Sequence, residues 1–155
     1  MIGVGAGKAF SELNAFDRAL MNAGVENYNL VKISSILPKG AEITNKVTIE
    51  PGSLLPIAYT CLISTPCIKK AEMSAAVAVG VPKNPELVGV IMEWSGYESE
   101  EIARRNVINM LKTAMNDRQI NEYKIKYKSI ADFTSDSDYV CVFACVSIME
   151  ETITP

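Results

Sequence analysis

YVCVFACVSIM, residues 139–149, has no charged side chain, and only Tyr139 and Ser147 carry a hydroxyl group. A strand that is apolar at almost every position is buried on both faces, because successive side chains point to opposite sides of a sheet. The segment therefore predicts a strand that is covered on two sides. Such a strand belongs in a layered α+β protein with sheets inside and helices outside.

The rest of the sequence supplies further strands for these sheets. Residues 56–64, 74–82 and 87–94 are rich in apolar, branched side chains, and we expect them to be neighbours in one sheet. Residues 123–130 (YKIKYKSI) alternate apolar residues with lysine, which is typical of a strand with one solvent-exposed face. Residues 28–34 predict another strand, and the sequence also predicts a short extended piece near residues 47–49.

Two segments have the periodicity of amphipathic helices. In residues 11–23, Ser11 can cap the first turn and Gly24 follows the last turn, while residues 99–118 form a second such segment. Their periodic apolar residues are Leu13, Phe16 and Leu20 in the first segment and Ile102, Val107, Met110, Leu111, Ala114 and Met115 in the second. Together with about seven strands, the two helices predict one domain over residues 1–155 with an αββα sandwich architecture.

The composition excludes several classes of protein. Of 155 residues, 48% are hydrophobic and 21% are charged, which is typical of a folded chain rather than a disordered one. The net charge of -3 gives no reason to expect binding to nucleic acid. No apolar stretch approaches the roughly 18 residues that span a bilayer. Residues 1–10 lack the layout of a signal peptide, so we expect a cytoplasmic protein without a membrane segment.

The cysteine and histidine content restricts the chemistry. The four cysteines form no C-x-x-C pair, and the chain has no histidine to complete a mixed zinc site. We therefore expect reduced, packed thiols rather than a metal site or a disulfide. Without histidine, the Ser-His-Asp and Cys-His arrangements are excluded, so a proton donor must be a carboxyl, lysine or tyrosine side chain.

The glycine-rich segment GVGAGK (residues 3–8) resembles a phosphate-binding loop only superficially. The motif G-x-x-x-x-G-K-[ST] requires glycine at position 2 and serine or threonine at position 9, where this chain has Ile2 and Ala9. We expect these glycines to serve a turn or close packing between chains rather than a nucleotide.

Two carboxyl side chains occupy unexpected positions. Asp17 lies at the margin of the apolar face of the first helix. Its carboxylate is either buried and neutralised by a partner or exposed to water at the edge of the buried face. Glu93 is the only charged residue in 87–94 and shares a strand face with Ile91. If that face is buried, the pKa of Glu93 is raised and the carboxyl can protonate a carbanion near neutral pH. The alternative is a position on the wet rim of the sheet.

Four blocks of sequence occur in a specific order and spacing. They are LNAFDRALMNAG (residues 13–24), NYNLVKISSILP (27–38), GSLLPIAY (52–59) and GVIMEWSG (89–96). Together they closely resemble the pyruvoyl-dependent arginine decarboxylases, from about the first helix to the last strand. The resemblance implies that the chain cuts itself between Ser34 and Ser35, leaving a small chain (1–34) bound to a large chain (35–155).

The resemblance also implies the origin of the cofactor. The Ser35 hydroxyl attacks the Ser34 carbonyl to give an ester, elimination leaves dehydroalanine, and hydrolysis with loss of ammonia turns residue 35 into a pyruvoyl group. This group, with no PLP and no metal, forms a Schiff base with the substrate amine and accepts the electrons left by CO2. Self-cleavage thus supplies a carbonyl electrophile that ordinary side chains lack.

Further residues match functional positions of the family. Glu93 matches the proton donor, and Asp17 matches the carboxylate that binds the guanidinium group of the substrate. Asn29 matches a catalytic residue close to the pyruvoyl group, where an amide can hold the scissile carbonyl or polarise the ester during cleavage. Without the resemblance, a strand-edge asparagine that satisfies backbone groups is the simpler explanation. Leu13 and Tyr28 are expected to line the same pocket, but core packing explains them equally well.

The resemblance implies conversion of L-arginine to agmatine and CO2 in polyamine biosynthesis. It also implies a trimer, or two trimers together, with active sites between protomers. Two alternatives stay open: a pyruvoyl decarboxylase for another amino acid such as lysine or histidine, and an unprocessed homologue that binds agmatine or has a structural role. Glu26 stands where a small residue is common in the family, and its carboxylate bears on substrate choice.

Overall fold

The structure, a computed structural model, describes residues 1–149 and shows two helices and eight strands in this part of the chain. The helices are α1 (Glu12–Ala23) and α2 (Glu100–Asp117). The strands are β1 (Ile2–Ala9), β2 (Asn29–Lys32), β3 (Ile36–Leu37), β4 (Leu54–Ser64), β5 (Glu72–Pro82), β6 (Gly89–Gly96), β7 (Tyr123–Phe133) and β8 (Tyr139–Ser147). Neither of these helices combines the length and apolar character that crossing a bilayer requires.

The strands form two four-stranded sheets that pack face to face. The first sheet has the order β1-β8-β4-β2, and the second has the order β3-β6-β5-β7. Neighbouring strands are antiparallel except β2 and β4, which are parallel. Apolar side chains fill the space between the sheets, while α1 packs on the outer face of the first sheet and α2 on the outer face of the second. The predicted α+β fold with an αββα arrangement is confirmed.

β8 occupies the covered position that its sequence predicts. It lies between β1 and β4, and its residues 140–147 are all buried. Its valines and alanine at 140, 142, 144 and 146 face the second sheet, whereas Cys141, Phe143 and Cys145 face α1. Both faces therefore bury apolar surface, which explains the uninterrupted apolar run.

The glycines of residues 3–8 lie in β1 and let α1 approach the first sheet closely. A Cβ atom on Gly3 would lie 2.7 Å from the carbonyl oxygen of Ala23, and a Cβ atom on Gly5 would lie 2.8 Å from the amide nitrogen of Ala23. Gly7 meets the preceding turns of the helix in the same way. These glycines therefore serve packing within the chain, and the predicted turn or contact between chains was wrong.

Gly5→Ala is expected to destabilise the fold by about 3 kcal/mol or more, because the new methyl group would overlap rigid helix backbone. Urea or thermal unfolding of the variant measures this loss. Gly96→Ala is the matched control, since a Cβ there meets only the flexible side chain of Glu98, with 3.3 Å as the shortest separation. Equal stability of the two variants would contradict the close approach of α1 to β1.

The face of α1 that packs on the sheet differs from the predicted one. Its buried residues are Ala15, Ala19, Leu20 and Ala23. Leu13 is instead 75% exposed and Asp17 is also exposed, because the glycines of β1 bring the helix too close for large side chains. The predicted helix ends are confirmed: the Asn14 amide donates to Ser11 Oγ at 3.2 Å, and Gly24 is left-handed with φ of 78°.

Three strand predictions were wrong in detail. The strand predicted over 28–34 ends at Lys32, because the chain there leaves the first sheet for the second. Residues 47–49 form no strand, and their apolar side chains pack from a loop against the α1 side of the first sheet. Residues 56–64 belong to β4 in the first sheet, whereas β5 and β6 are neighbours in the second. β4 pairs instead with β8, a distant partner that local pattern does not reveal.

The four cysteines are free thiols. Cys141 and Cys145 are buried on β8, and burial raises the pKa of each thiol to about 12. Thiols in this state stay protonated and react slowly. The expectation of packed, reduced thiols therefore holds for these two residues, while Cys61 and Cys67 are only partly buried.

Candidate active site

Ser34 and Ser35 lie where the chain passes from one sheet to the other. The amide of Ile33 still donates to a carbonyl of β4 at 3.1 Å, in the first sheet. The carbonyl of Ser35 already accepts from the amide of Ile91 in β6 at 2.9 Å, in the second sheet. The peptide bond between the two serines is therefore held from both sides.

This peptide bond lies in a tight bend. The amide of Ile36 donates a hydrogen bond to the Ser34 carbonyl oxygen at 2.8 Å, which closes a three-residue turn centred on Ser35. A donor at a carbonyl oxygen stabilises the negative charge that develops when a nucleophile attacks the carbon. The bend thus places such a donor on the Ser34 carbonyl oxygen, and the hydroxyl of Ser35 follows this carbonyl directly in the chain.

The Ser35 hydroxyl donates a hydrogen bond to the Glu93 carboxylate, with 2.6 Å between the oxygens. Glu93 lies opposite Val77 of β5, so its side chain points toward the first sheet, and it is partly buried. Burial raises the pKa of Glu93, and the hydrogen bond from Ser35 and the positive charge of Lys32 oppose that rise. The carboxyl therefore lies between the two positions considered, neither fully buried nor fully exposed on the rim of the sheet.

A polar contact joins the two sheets next to Glu93. Thr60 of β4 and Ser95 of β6 are linked through their hydroxyl groups at 2.8 Å. Ser95 follows Glu93 by two residues on the same strand face. This end of the space between the sheets is therefore polar, unlike the apolar core beside it.

Sequence reasoning missed Lys32, which the structure places over the Tyr59 ring at the end of β2. Its Nζ lies 4.6 Å from the centroid of the Tyr59 ring, and its positive charge lowers the pKa of both Glu93 and Cys61, against the raising effect of burial. By pattern, a lysine at the end of an exposed strand looks like any solvated lysine. Its position three residues before Ser35 is the one signal that could have found it.

Asn29 and Tyr28 lie at the start of β2, and each has a local partner. The Asn29 side-chain amide donates to the Gly52 carbonyl at 2.7 Å, and the Tyr28 hydroxyl donates to the Ile49 carbonyl at 3.3 Å. Neither forms a hydrogen bond with the serine pair. Both contacts are those of residues that satisfy nearby backbone groups.

Asp17 and Leu13 lie on the opposite side of the first sheet from Ser35 and Glu93. Both are exposed on α1, which packs on the outer face of that sheet. Leu13 lines a shallow pocket of about 330 Å³ together with Glu12, Phe16, Cys61 and Ile63. Within residues 1–149, no hydrogen bond or ion pair connects Asp17 to the serine pair or to Glu93.

One chain therefore brings together the parts needed for attack on its own backbone. These parts are a hydroxyl nucleophile, a carboxyl that accepts its proton, and a carbonyl with a donor at its oxygen. Within residues 1–149, no cluster of three His, Cys, Asp or Glu side chains is arranged to hold a metal ion.

Comparison with known proteins identifies the family. The family model described as pyruvoyl-dependent arginine decarboxylase matches residues 1–152. A relative of that name from Methanococcus aeolicus is 41% identical over 93% of this chain and 85% of its own length. Relatives of that name from Methanocaldococcus jannaschii and Thermococcus kodakarensis are 38% and 39% identical, over 93% and 80% of this chain and 85% and 79% of their own lengths. As the four sequence blocks indicated, this chain belongs to the pyruvoyl-dependent arginine decarboxylase family.

Proposed function

We propose that this chain converts L-arginine to agmatine and CO2, for polyamine biosynthesis, with a pyruvoyl group that it makes from its own Ser35. The observation that carries the proposal is the hydrogen bond of 2.6 Å from Ser35 to Glu93, beside the carbonyl of Ser34. Family membership supports arginine as the substrate. The Glu26 carboxylate accepts from the neighbouring Asn27 amide at 3.2 Å and forms no hydrogen bond with Ser35, so it gives no reason to prefer another amino acid.

Cleavage begins as an acyl shift within the bend. The Ser35 oxygen bonds to the Ser34 carbonyl carbon, and its proton passes to Glu93. The former carbonyl oxygen takes up negative charge facing the amide of Ile36. The C–N bond then breaks, so residue 35 gains a free amine and an ester links the two residues. Glu93 can return its proton to this amine.

Elimination then separates the two chains. Loss of the α-hydrogen of residue 35 expels the carboxylate of Ser34 and leaves dehydroalanine at the start of residues 35–155. Water replaces its nitrogen, which leaves as ammonia, and the ketone that remains is the pyruvoyl group. Residues 1–34 keep their places in the first sheet through β1 and β2.

In turnover, the pyruvoyl carbonyl supplies the electrophile and the electron sink for loss of CO2. Glu93 then acts as an acid and delivers a proton to the substrate carbon that has lost CO2. Burial raises the pKa of Glu93 and so favours the protonated form that this step requires. Sequence reasoning assigned Glu93 to turnover only; its hydrogen bond to Ser35 adds a role in cleavage.

Two measurements on the purified protein test the proposal. Intact mass should show two pieces, residues 1–34 and a large chain with a ketone in place of its first amine. Release of CO2 should be faster from arginine than from lysine, ornithine or histidine. A single uncut chain would favour the unprocessed homologue, and preference for another amino acid would favour the other decarboxylase; either result overturns the proposed function.

We propose further that the guanidinium site is completed by a second copy of the chain, in a trimer or a pair of trimers. The exposure of Leu13 and Asp17, on the far side of the first sheet from Ser35, supports this arrangement. In it, α1 of one copy faces the serine pair of its neighbour. Tyr28 and Asn29 are proposed to line the same pocket.

Asp17→Asn is expected to raise KM for arginine by about 10- to 100-fold and to change kcat little, because a charge-assisted hydrogen bond to the guanidinium group is lost. Steady-state kinetics measure the effect. Asp117→Asn, which removes the same charge from the end of α2, is the control. An unchanged KM in the Asp17 variant would contradict the guanidinium contact.

Co-expression of Asp17→Asn chains with Glu93→Gln chains tests the shared site. If each site takes Asp17 from one copy and Glu93 from another, mixed assemblies contain some sites with both native residues and recover activity. If both residues serve within one chain, every site carries one substitution and the mixture stays impaired.

A further inference from the structure

The carbonyl oxygen of Ser35 has a hydrogen-bond donor of its own. It accepts from the Ile91 amide at 2.9 Å, whereas the Ile36 amide donates to the carbonyl oxygen of Ser34 at 2.8 Å. These two carbonyl groups lie on either side of the residue whose hydroxyl begins the proposed cleavage. The first step of that cleavage uses the donor at Ser34 and leaves the donor at Ser35 without a role.

Packing fixes both the donor and the acceptor of this second hydrogen bond. Ile91 is fully buried, and its strand is paired along the opposite edge with β5. The short strand β3 follows Ser35 directly, and its Leu37 is buried between the two sheets. Leu37 pairs with Gly89, where a Cβ atom would lie 3.0 Å from the leucine side chain, so the glycine makes room for it. The Ile91 amide therefore points at the Ser35 oxygen before any reaction begins.

Negative charge reaches this oxygen when the two chains separate. The bond between the α-carbon of residue 35 and its hydrogen breaks, and the proton passes to water or to the ionised Glu93 carboxylate. The electron pair moves onto the adjacent carbonyl oxygen of residue 35. It returns as the bond between the β-carbon and the ester oxygen breaks, which releases Ser34 as a carboxylate.

The same oxygen takes up charge in turnover. As CO2 leaves the substrate, the electron pair of the broken bond passes through the substrate nitrogen and the former α-carbon of residue 35 to the carbonyl oxygen of that residue. The pair returns to the substrate carbon when Glu93 delivers its proton. A fixed donor that is aimed at an oxygen on which charge develops accelerates such steps.

We propose that the peptide N–H of Ile91 is a catalytic group: it stabilises negative charge on the carbonyl oxygen of residue 35, first in the elimination and later in the loss of CO2. The inference rests on the proposed function and adds a donor to it. It also gives β3 a purpose. A strand of two residues is shorter than the usual range and forms few hydrogen bonds, yet its pairing with β6 sets this oxygen on its donor.

The experiment removes this N–H and keeps the isoleucine side chain. Stop-codon suppression places the α-hydroxy acid analogue of isoleucine at position 91, which replaces the amide with an ester and leaves the carbonyl of residue 35 without its donor. The matched control is the corresponding analogue of valine at position 90. Successive N–H groups of a strand point to opposite edges, so the N–H of Val90 faces β5 and not residue 35.

The Ile91 analogue should form the internal ester at Ser34 but eliminate slowly. Hydroxylamine splits this ester and releases residues 1–34, so mass measures the step without any need for activity; the engineered ester would split at position 91 instead. Separation of the two chains and kcat per ketone-bearing chain should each fall by about 10²- to 10³-fold, with little change in KM for arginine. The Val90 analogue should match the wild type in each measurement.

An Ile91 analogue that separates and turns over as fast as the wild type would overturn the role of this N–H. Equal losses in the two analogues, or an Ile91 analogue from which hydroxylamine no longer releases residues 1–34, would also overturn it, because the hydrogen bond would then serve only the shape of the strand pair. A wild-type chain that makes the ketone but prefers another amino acid would overturn the proposed substrate alone, and the two analogues would still decide the role of Ile91. A wild-type chain that never cuts itself would overturn the proposed function and this inference together.

Discussion

A Ser35→Ala chain is expected to stay one polypeptide and to lose activity toward arginine by at least about 10⁴-fold, to below detection. Alanine has no oxygen to attack the Ser34 carbonyl, so the ester, the cut and the ketone do not form. The fold should persist, because the backbone contacts of Ser35 with β6 do not involve the side chain. Intact mass and release of CO2 measure the two effects.

Ser34→Ala is the matched control. In the proposed reaction Ser34 contributes only its carbonyl group, which alanine retains, and its side chain is exposed. This variant should cut itself and decarboxylate arginine at a rate near that of the wild type. Cleavage of the Ser35→Ala chain at the same bond would show that another group is the nucleophile.

Glu93→Gln is expected to lower kcat by about 10² to 10⁴ and to slow cleavage as well. A glutamine amide can still accept the hydrogen bond from Ser35, but it can neither take up the hydroxyl proton nor deliver a proton to the substrate. The time course of cleavage, followed by mass, measures the loss of proton uptake from Ser35. The value of kcat per cleaved chain measures the loss of proton delivery to the substrate.

Glu86→Gln controls for the loss of one negative charge. Glu86 is exposed and pairs with Lys39 at 2.9 Å on the surface, a type of contact that contributes little to stability. We expect its cleavage and kcat to equal those of the wild type. A Glu93→Gln enzyme that turns over as fast as the wild type would remove Glu93 from the mechanism.

Features that depend on neighbours in sequence could be predicted. β8 could be predicted because both of its faces are apolar, and the ends of α1 could be predicted from the capping residues Ser11 and Gly24. β1 could not be predicted by the same means, since its glycines carry no side chains to show alternation. Their purpose depends on the backbone of α1, which no local pattern contains.

In the candidate site, too, the residues themselves could be predicted from the sequence, whereas their contacts depend on strands that are distant in the chain. The serine pair and Glu93 were identified through sequence blocks, but their contact depends on the pairing of β3 with β6. The contact of Lys32 with Tyr59 likewise depends on the pairing of β2 with β4, which no local pattern contains. Asp17 was expected beside the apolar face of its helix, yet small residues bring that helix so close to the sheet that Asp17 faces outward.

The order of strands in the first sheet determines what would hold the two pieces together after the proposed cut between Ser34 and Ser35. Both edge strands, β1 and β2, come from residues 1–34, and the two strands between them come from residues 35–155. The short fragment thus pairs with the long one at both edges of this sheet, and these strand pairings keep the fragment bound. Unfolding, however, then yields two molecules instead of one, and dilution opposes their reunion. Because the ketone end cannot be rejoined to Ser34, a mature molecule that comes apart at low concentration has no route back to its precursor.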